Sequence, residues 1–177
     1  MKLKVLFTVV VLSLTSNSFA GLLVDPYIGI GQTKDTLDLA GASEESGSST
    51  VIGSRLGYSF ILLSAGIDYS MVKSSSDGDD IDSTNMSVFV GVDMPILVRA
   101  WAEYFVSSDF DVDNANVNGV SFKDGYGVGL GFTGLPFVSI NLELDLLNYE
   151  VDLVGASKDY DYAVASTLLS VSLPLDL

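Results

Sequence analysis

Three sets of residues in this 177-residue chain have types and spacing that could do chemistry. Gly129-Leu-Gly-Phe-Thr-Gly134 is a literal G-x-G-x-x-G, the spacing with which a loop cradles a dinucleotide phosphate against a helix N-terminus. Asp109, Asp111 and Asp113 in "DFDVDNANVNG", and Asp77, Asp79, Asp80 and Asp82 in "DGDDID", are spaced as calcium ligands can be. Arg55 and Arg99, with Asp68, Asp93, Glu103, Glu143 and Asp145, fall on one phase of a period-2 pattern. Carboxylates paired in that way carry acid–base work or hold buried arginines as ion pairs.

The surrounding residues sort these possibilities. The chain has no His and no Cys, which removes the commonest general base, the commonest zinc ligand and all thiolate chemistry. The first acidic run lacks the Gly at position six and the Glu at position twelve of an EF-hand loop. It reads as a solvated acidic loop, with Asp109, Asp111 and Asp113 as weak candidates for Ca²⁺. The glycine motif is followed by Pro136 and the alternating run "FVSINLELDLL", so a hairpin follows it and no helix opens there. Gly125, Gly127, Gly129 and Gly131 recur every second residue, with Tyr126, Val128, Leu130 and Phe132 between them. On a strand that spacing puts all four glycines on one face.

The elements that would position these residues are strands. Eight runs alternate between apolar and polar or small residues, over about 22–32, 50–59, 61–73, 84–94, 96–107, 121–133, 137–150 and 161–175. Their connections alternate between long polar segments, such as "TKDTLDLAGASEESGSS", and abrupt turns at Phe60-Ile61, Met94-Pro95 and Thr133-Gly134-Leu135-Pro136. Long, short, long, short is the pattern of an up-and-down meander. The expected fold is all-β: an eight-stranded antiparallel up-and-down transmembrane barrel with short periplasmic turns and longer extracellular loops.

Residues 1–20 read as a cleaved secretory signal peptide. Lys2 and Lys4 precede an apolar run that ends in Ser18-Phe19-Ala20, and that run is too short to span a bilayer. Residues 21–177 form the barrel domain. Without Lys2 and Lys4, six basic residues face 23 acidic ones, a net charge of −17. Such a surface repels nucleic acid.

Phasing each strand on its charged residue shows which face meets which medium. Arg55 lies with Gly53 and Gly57, opposite Ile52, Leu56 and Tyr58; Asp68 lies with Ser64, Gly66 and Ser70, opposite Ile67, Tyr69 and Met71. Ser139, Asn141, Glu143 and Asp145 alternate with Ile140, Leu142, Leu144 and Leu146. A soluble barrel carries its strand charges outside. Here they share a face with Gly and Ser, which is the arrangement of a membrane barrel with apolar residues toward lipid. The seven inward charges are therefore expected to form a salt-bridge network around the two arginines, with Trp101 and Phe105 helping to block the lumen.

With this pattern, and with the last strand "STLLSVSLPLDL", the mature chain resembles the small eight-stranded outer-membrane barrels that include the transmembrane domain of outer membrane protein A and its relatives. The resemblance implies an outer-membrane location, contact with outer-membrane lipid and lipopolysaccharide, and insertion by the barrel-assembly machinery. Members of the group usually end in an aromatic residue, and this chain ends in Leu177. The resulting expectation is a non-enzymatic barrel without cofactor, having a structural or surface-interaction role toward an unidentified partner. A small channel and a secreted soluble barrel binding an apolar ligand are the alternatives.

Overall fold

The computed structural model describes residues 21–37, 45–76, 79–111, 117–153 and 160–177. The expected signal peptide, residues 1–20, lies outside the described residues. Eight long strands follow in order: β1 (Gly21–Leu37), β2 (Glu45–Phe60), β3 (Leu63–Ser76), β4 (Asp79–Met94), β5 (Val98–Asp111), β6 (Val117–Leu135), β7 (Val138–Leu153) and β8 (Tyr160–Ser172). Each pairs antiparallel with its neighbour in sequence, and β1 pairs with both β2 and β8, which closes the sheet. A closed barrel has no free edge through its middle, although the β5–β6 ladder runs only from Val98–Phe132 to Tyr104–Tyr126.

The seam between β1 and β8 shows why a ninth, two-residue strand, β9 (Leu175–Asp176), appears. Tyr27 pairs with Ser172, and Val24 pairs with Leu175, in one unbroken register. Between them Pro26 and Pro174 come close to facing each other, and neither has an N–H to donate. The ladder skips this point, with Leu173 N–H still donating to the Pro26 carbonyl at 3.0 Å. β9 is thus the end of the eighth strand. It is fixed by reciprocal 2.9 Å bonds between Leu22 and Leu177.

At one end the strands join through turns at residues 61–62, 95–97 and 136–137. Each turn holds one bulky residue in the left-handed region: Ile61 at φ 60°, Leu97 at φ 63° and Phe137 at φ 64°. A tight hairpin needs positive φ in its loop, and no glycine supplies it here. The strands themselves run further than alternation alone predicts. β2 begins at Glu45, not near residue 50, and β6 begins at Val117, not near 121. The residues added to β2 are polar on both faces, and in β6 Val117 and Val120 stand three apart across a register shift, so the period of two vanishes while the backbone ladder continues.

The faces divide sharply. Ile52, Leu56, Ile67, Met71, Val88, Val128, Leu130, Leu142, Leu144 and Leu169 are exposed on the outside. Arg55, Asp68, Ser87, Glu103, Asn141, Glu143 and Asp145 are buried inside. The molecule is turned inside out relative to a soluble barrel.

Candidate functional site: the charged lumen

Cross-strand register builds the lumen. On the inner face Asp25 of β1 sits opposite Arg55 of β2, and Arg55 sits opposite Asp68 of β3. Arg55 therefore has a carboxylate on each flank. Its Nε lies 3.0 Å from Asp68, its Nη2 donates to Glu143 from the far wall, and its Nη1 is 3.8 Å from Asp25. Two aromatic rings enclose the guanidinium, Trp101 at 4.3 Å and Tyr27 at 4.7 Å. The delocalised guanidinium suits this position, since it stacks on rings and bonds in its plane at once. The Tyr27 hydroxyl donates to Asp68 at 2.8 Å.

A second layer lies nearer the turn end. Arg99 and Asp93 face each other across β4 and β5 at 3.1 Å, and Arg99 donates to Asp25 at 2.7 Å. Asp25, fully buried, joins the two arginine layers. Asn141 extends this layer, donating from Nδ2 to Ser172 at 3.1 Å and to Ser170 at 3.3 Å.

The glycines of β6 make room for these groups. Gly129 pairs with Trp101, and a Cβ there would collide with the indole ring. A Cβ on Gly125 would press on Phe105, and one on Gly131 would meet the Asn141 amide. Gly53 does the same service for Tyr27, whose ring lies over it. The G-x-G-x-x-G spacing thus holds space for large inward side chains on β5 and β7, with Gly134 at the hairpin.

Above the arginines the wall changes character. A bulge at Val106 shifts the β4–β5 register between Met86 and Ser87. Beyond it Ser108 turns inward, donating to Asn85 at 2.6 Å and sharing a 2.7 Å bond with the Tyr149 hydroxyl. Phe105, Leu147 and Tyr149 pack together there. The space left inside is about 70 Å³, enough for several waters and far below the ~300 Å³ of a small-molecule site.

The seven inward residues expected from the sequence are all placed in this lumen. Arg55, Asp68, Glu103, Glu143 and Asp145 are buried around the centre, Arg99 is buried below them, and Asp93 stands partly exposed at the turn end. Sequence reasoning missed Asp25 and Tyr27. Their neighbour Pro26 suggested a rim position, yet the strand runs through it with Asp25 and Tyr27 both inward. Of the loop aspartates, Asp109 is exposed at the end of β5 and Asp113 lies outside the described residues.

No protein-family profile matches the chain, and no curated protein matches it by sequence. Solved structures match it in fold. Neisserial surface protein A (NspA) is 15% identical, with a TM-score of 0.56 over 88% of this chain and 99% of that one. Ail, the attachment invasion locus protein of Yersinia pestis, solved with the heparin analogue sucrose octasulfate, is 16% identical, with a TM-score of 0.52 over the same shares. At such identities the likeness establishes the fold, that of the small eight-stranded outer-membrane barrels.

Proposed function

We propose that the chain is an integral outer-membrane protein whose plugged barrel anchors an acidic outer surface, with a structural or surface-interaction role. One observation carries this reading: the apolar belt faces outward around a closed barrel while the charges are buried inside. On β3 the belt runs from Leu63 to Met71, which at ~3.4 Å per residue and a tilt of about 40° covers roughly 20–25 Å of bilayer. Tyr69, Tyr104 and Tyr126 end it on the loop side, with Tyr104 and Tyr126 5.3 Å apart. Tyr58, Phe60 and Phe132 lie toward the turn side. Two aromatic girdles at the interfaces are the mark of such barrels.

In this orientation the turns are periplasmic and the long connections extracellular. The lumen supports anchoring over transport, since Arg55, Trp101, Tyr27 and the carboxylates of Asp25, Asp68 and Glu143 fill its centre. Ail was solved with a polyanion, whereas this chain carries a net charge of −15. Its surface favours a cationic partner. Planar-bilayer recording tests the plug. The wild-type barrel gives no stable single-channel steps, and steps that vanish on Arg99→Ala would establish a conducting lumen in its place.

A further inference from the structure

We infer that the lumen holds a divalent-cation site, formed by Glu103, Glu143 and Asp145 and suited to Ca²⁺. The register makes the site. Gly127 of β6 pairs with Glu103 of β5 on one side and Asp145 of β7 on the other. With no side chain between them, the two carboxylates turn toward each other over the glycine. A Cβ on Gly127 would lie 2.6 Å from Asp145 Oδ1 and 2.7 Å from Glu103 Oε1, so both oxygens converge on one point.

Those same two oxygens have no hydrogen-bond donor among the described residues, although both are buried. The other oxygen of each is engaged: Ser87 donates to Glu103 Oε2, and Ser166 donates to Asp145 Oδ2 at 3.0 Å. Glu143 completes the set, giving Oε2 to Arg55. One oxygen from each of the three lies within 4.8 Å of the others. A Ca²⁺ ion with oxygens at about 2.3–2.6 Å spans that separation, whereas Mg²⁺ at about 2.1 Å requires a tighter cage.

The charge balance points the same way. Arg55 and Arg99 face Asp25, Asp68, Asp93, Glu103, Glu143 and Asp145. Arg55 is already shared among Asp25, Asp68 and Glu143. Among the described residues Glu103 and Asp145 therefore have no cation in ion-pair contact, and an uncompensated buried charge is costly. A divalent ion over Gly127 neutralises both. The cavity above the cluster is lined by Tyr149, Tyr162 and Asp35 toward the loop end. None of this depends on the membrane or partner reading.

The test is Ca²⁺ calorimetry on the folded full barrel in detergent after chelator treatment, with Tb³⁺ luminescence as a second readout. Trp101 is the only tryptophan and lies two residues from Glu103 on β5, so Tb³⁺ in this site is excited through its indole in the unmutated chain. The expected result is one saturable Ca²⁺ that displaces Trp-sensitised Tb³⁺. Glu103→Gln and Asp145→Asn weaken it by roughly tenfold or more, and Asp109→Asn leaves it unchanged. Absence of saturable Ca²⁺ heat and of Trp-sensitised emission in the wild type overturns the site, whether or not the variants fold. So does equal affinity in Glu103→Gln and Asp145→Asn, which would place the ion in the acidic loops.

Discussion

The Arg55 guanidinium lies 4.3 Å from the centre of the Trp101 ring, a contact between β2 and β5 that crosses the lumen. The two strands never pair, so only closure of the barrel brings these residues together. Around this contact Asp25, Asp68 and Glu143 converge on the same cation. Arg55 is the hub that makes the opposing walls of the lumen mutually dependent.

Replacing that hub is expected to be severe. Arg55→Ala leaves Asp68 and Glu143 buried without their cation, while Asp25 keeps Arg99, and costs about 3–5 kcal/mol, the range for breaking a buried pair by removing one partner. Arg55→Lys keeps the charge but loses the planar stack and the fork, so its loss is smaller. Urea unfolding in micelles, followed by heat-modifiable gel mobility, ranks the three proteins. An Arg55→Ala midpoint equal to wild type would contradict the network.

The glycine stripe makes a separate prediction. Gly129→Ala drives a methyl into the Trp101 indole and costs about 1–3 kcal/mol by overpacking. Trp101→Leu removes the obstacle, so the double variant recovers part of that loss. A double-mutant cycle with no coupling between the two sites would show that the stripe does not act by making room.

Outer and inner faces respond oppositely to charge. Leu142 is half exposed in the apolar belt, and its neighbour Glu143 is buried inside. Leu142→Arg is expected to cost about 2–4 kcal/mol in lipid vesicles, as for a cation near the bilayer midplane on a barrel's lipid face. In a soluble barrel the same change would be neutral. Folding yields into vesicles, compared with those of wild type, separate the two outcomes.

The rim provides a contrasting case. Lys123 lies above the apolar belt, donating to Asp161 at 2.9 Å and standing 3.6 Å from Glu150. The hydrogen bond to Asp161, then the charges of Asp161 and Glu150, raise its pKa. A raised lysine contributes fully below its unfolded value of about 10.4 and loses that contribution only as pH climbs through the folded value. Lys123→Ala is therefore expected to shift the urea midpoint little, and by the same amount from about pH 6 to about pH 9, since exposed pairs are weak. A wild-type advantage that disappears within that interval would contradict the assignment.

The sequence revealed most of this architecture because charge, glycine and apolar residues keep strict alternation through the belt. Arg55, Asp68, Glu143 and Asp145 each announce the inward phase of their strand. Legibility ended where alternation ended. The start of β2 read as loop because both its faces are polar, and the start of β6 because a register shift puts Val117 and Val120 three apart, although both ladders persist. Asp25 and Tyr27 were hidden by Pro26, whose missing N–H is tolerated at a seam where Pro174 lacks one as well. Ser108 was hidden by the bulge at Val106, which reverses the phase of β5 beyond it. The convergence of Glu103 and Asp145 needed the register, since only pairing shows that one glycine separates them.

The central claim is that the outward apolar belt lies in a bilayer. Its most direct test is fractionation of cells expressing the full chain, with salt and carbonate washes followed by detergent extraction. The expected result is recovery in the outer-membrane pellet through both washes, release by detergent alone, and a gel mobility that changes on boiling. Recovery of the folded chain in the soluble periplasmic or secreted fraction would contradict it.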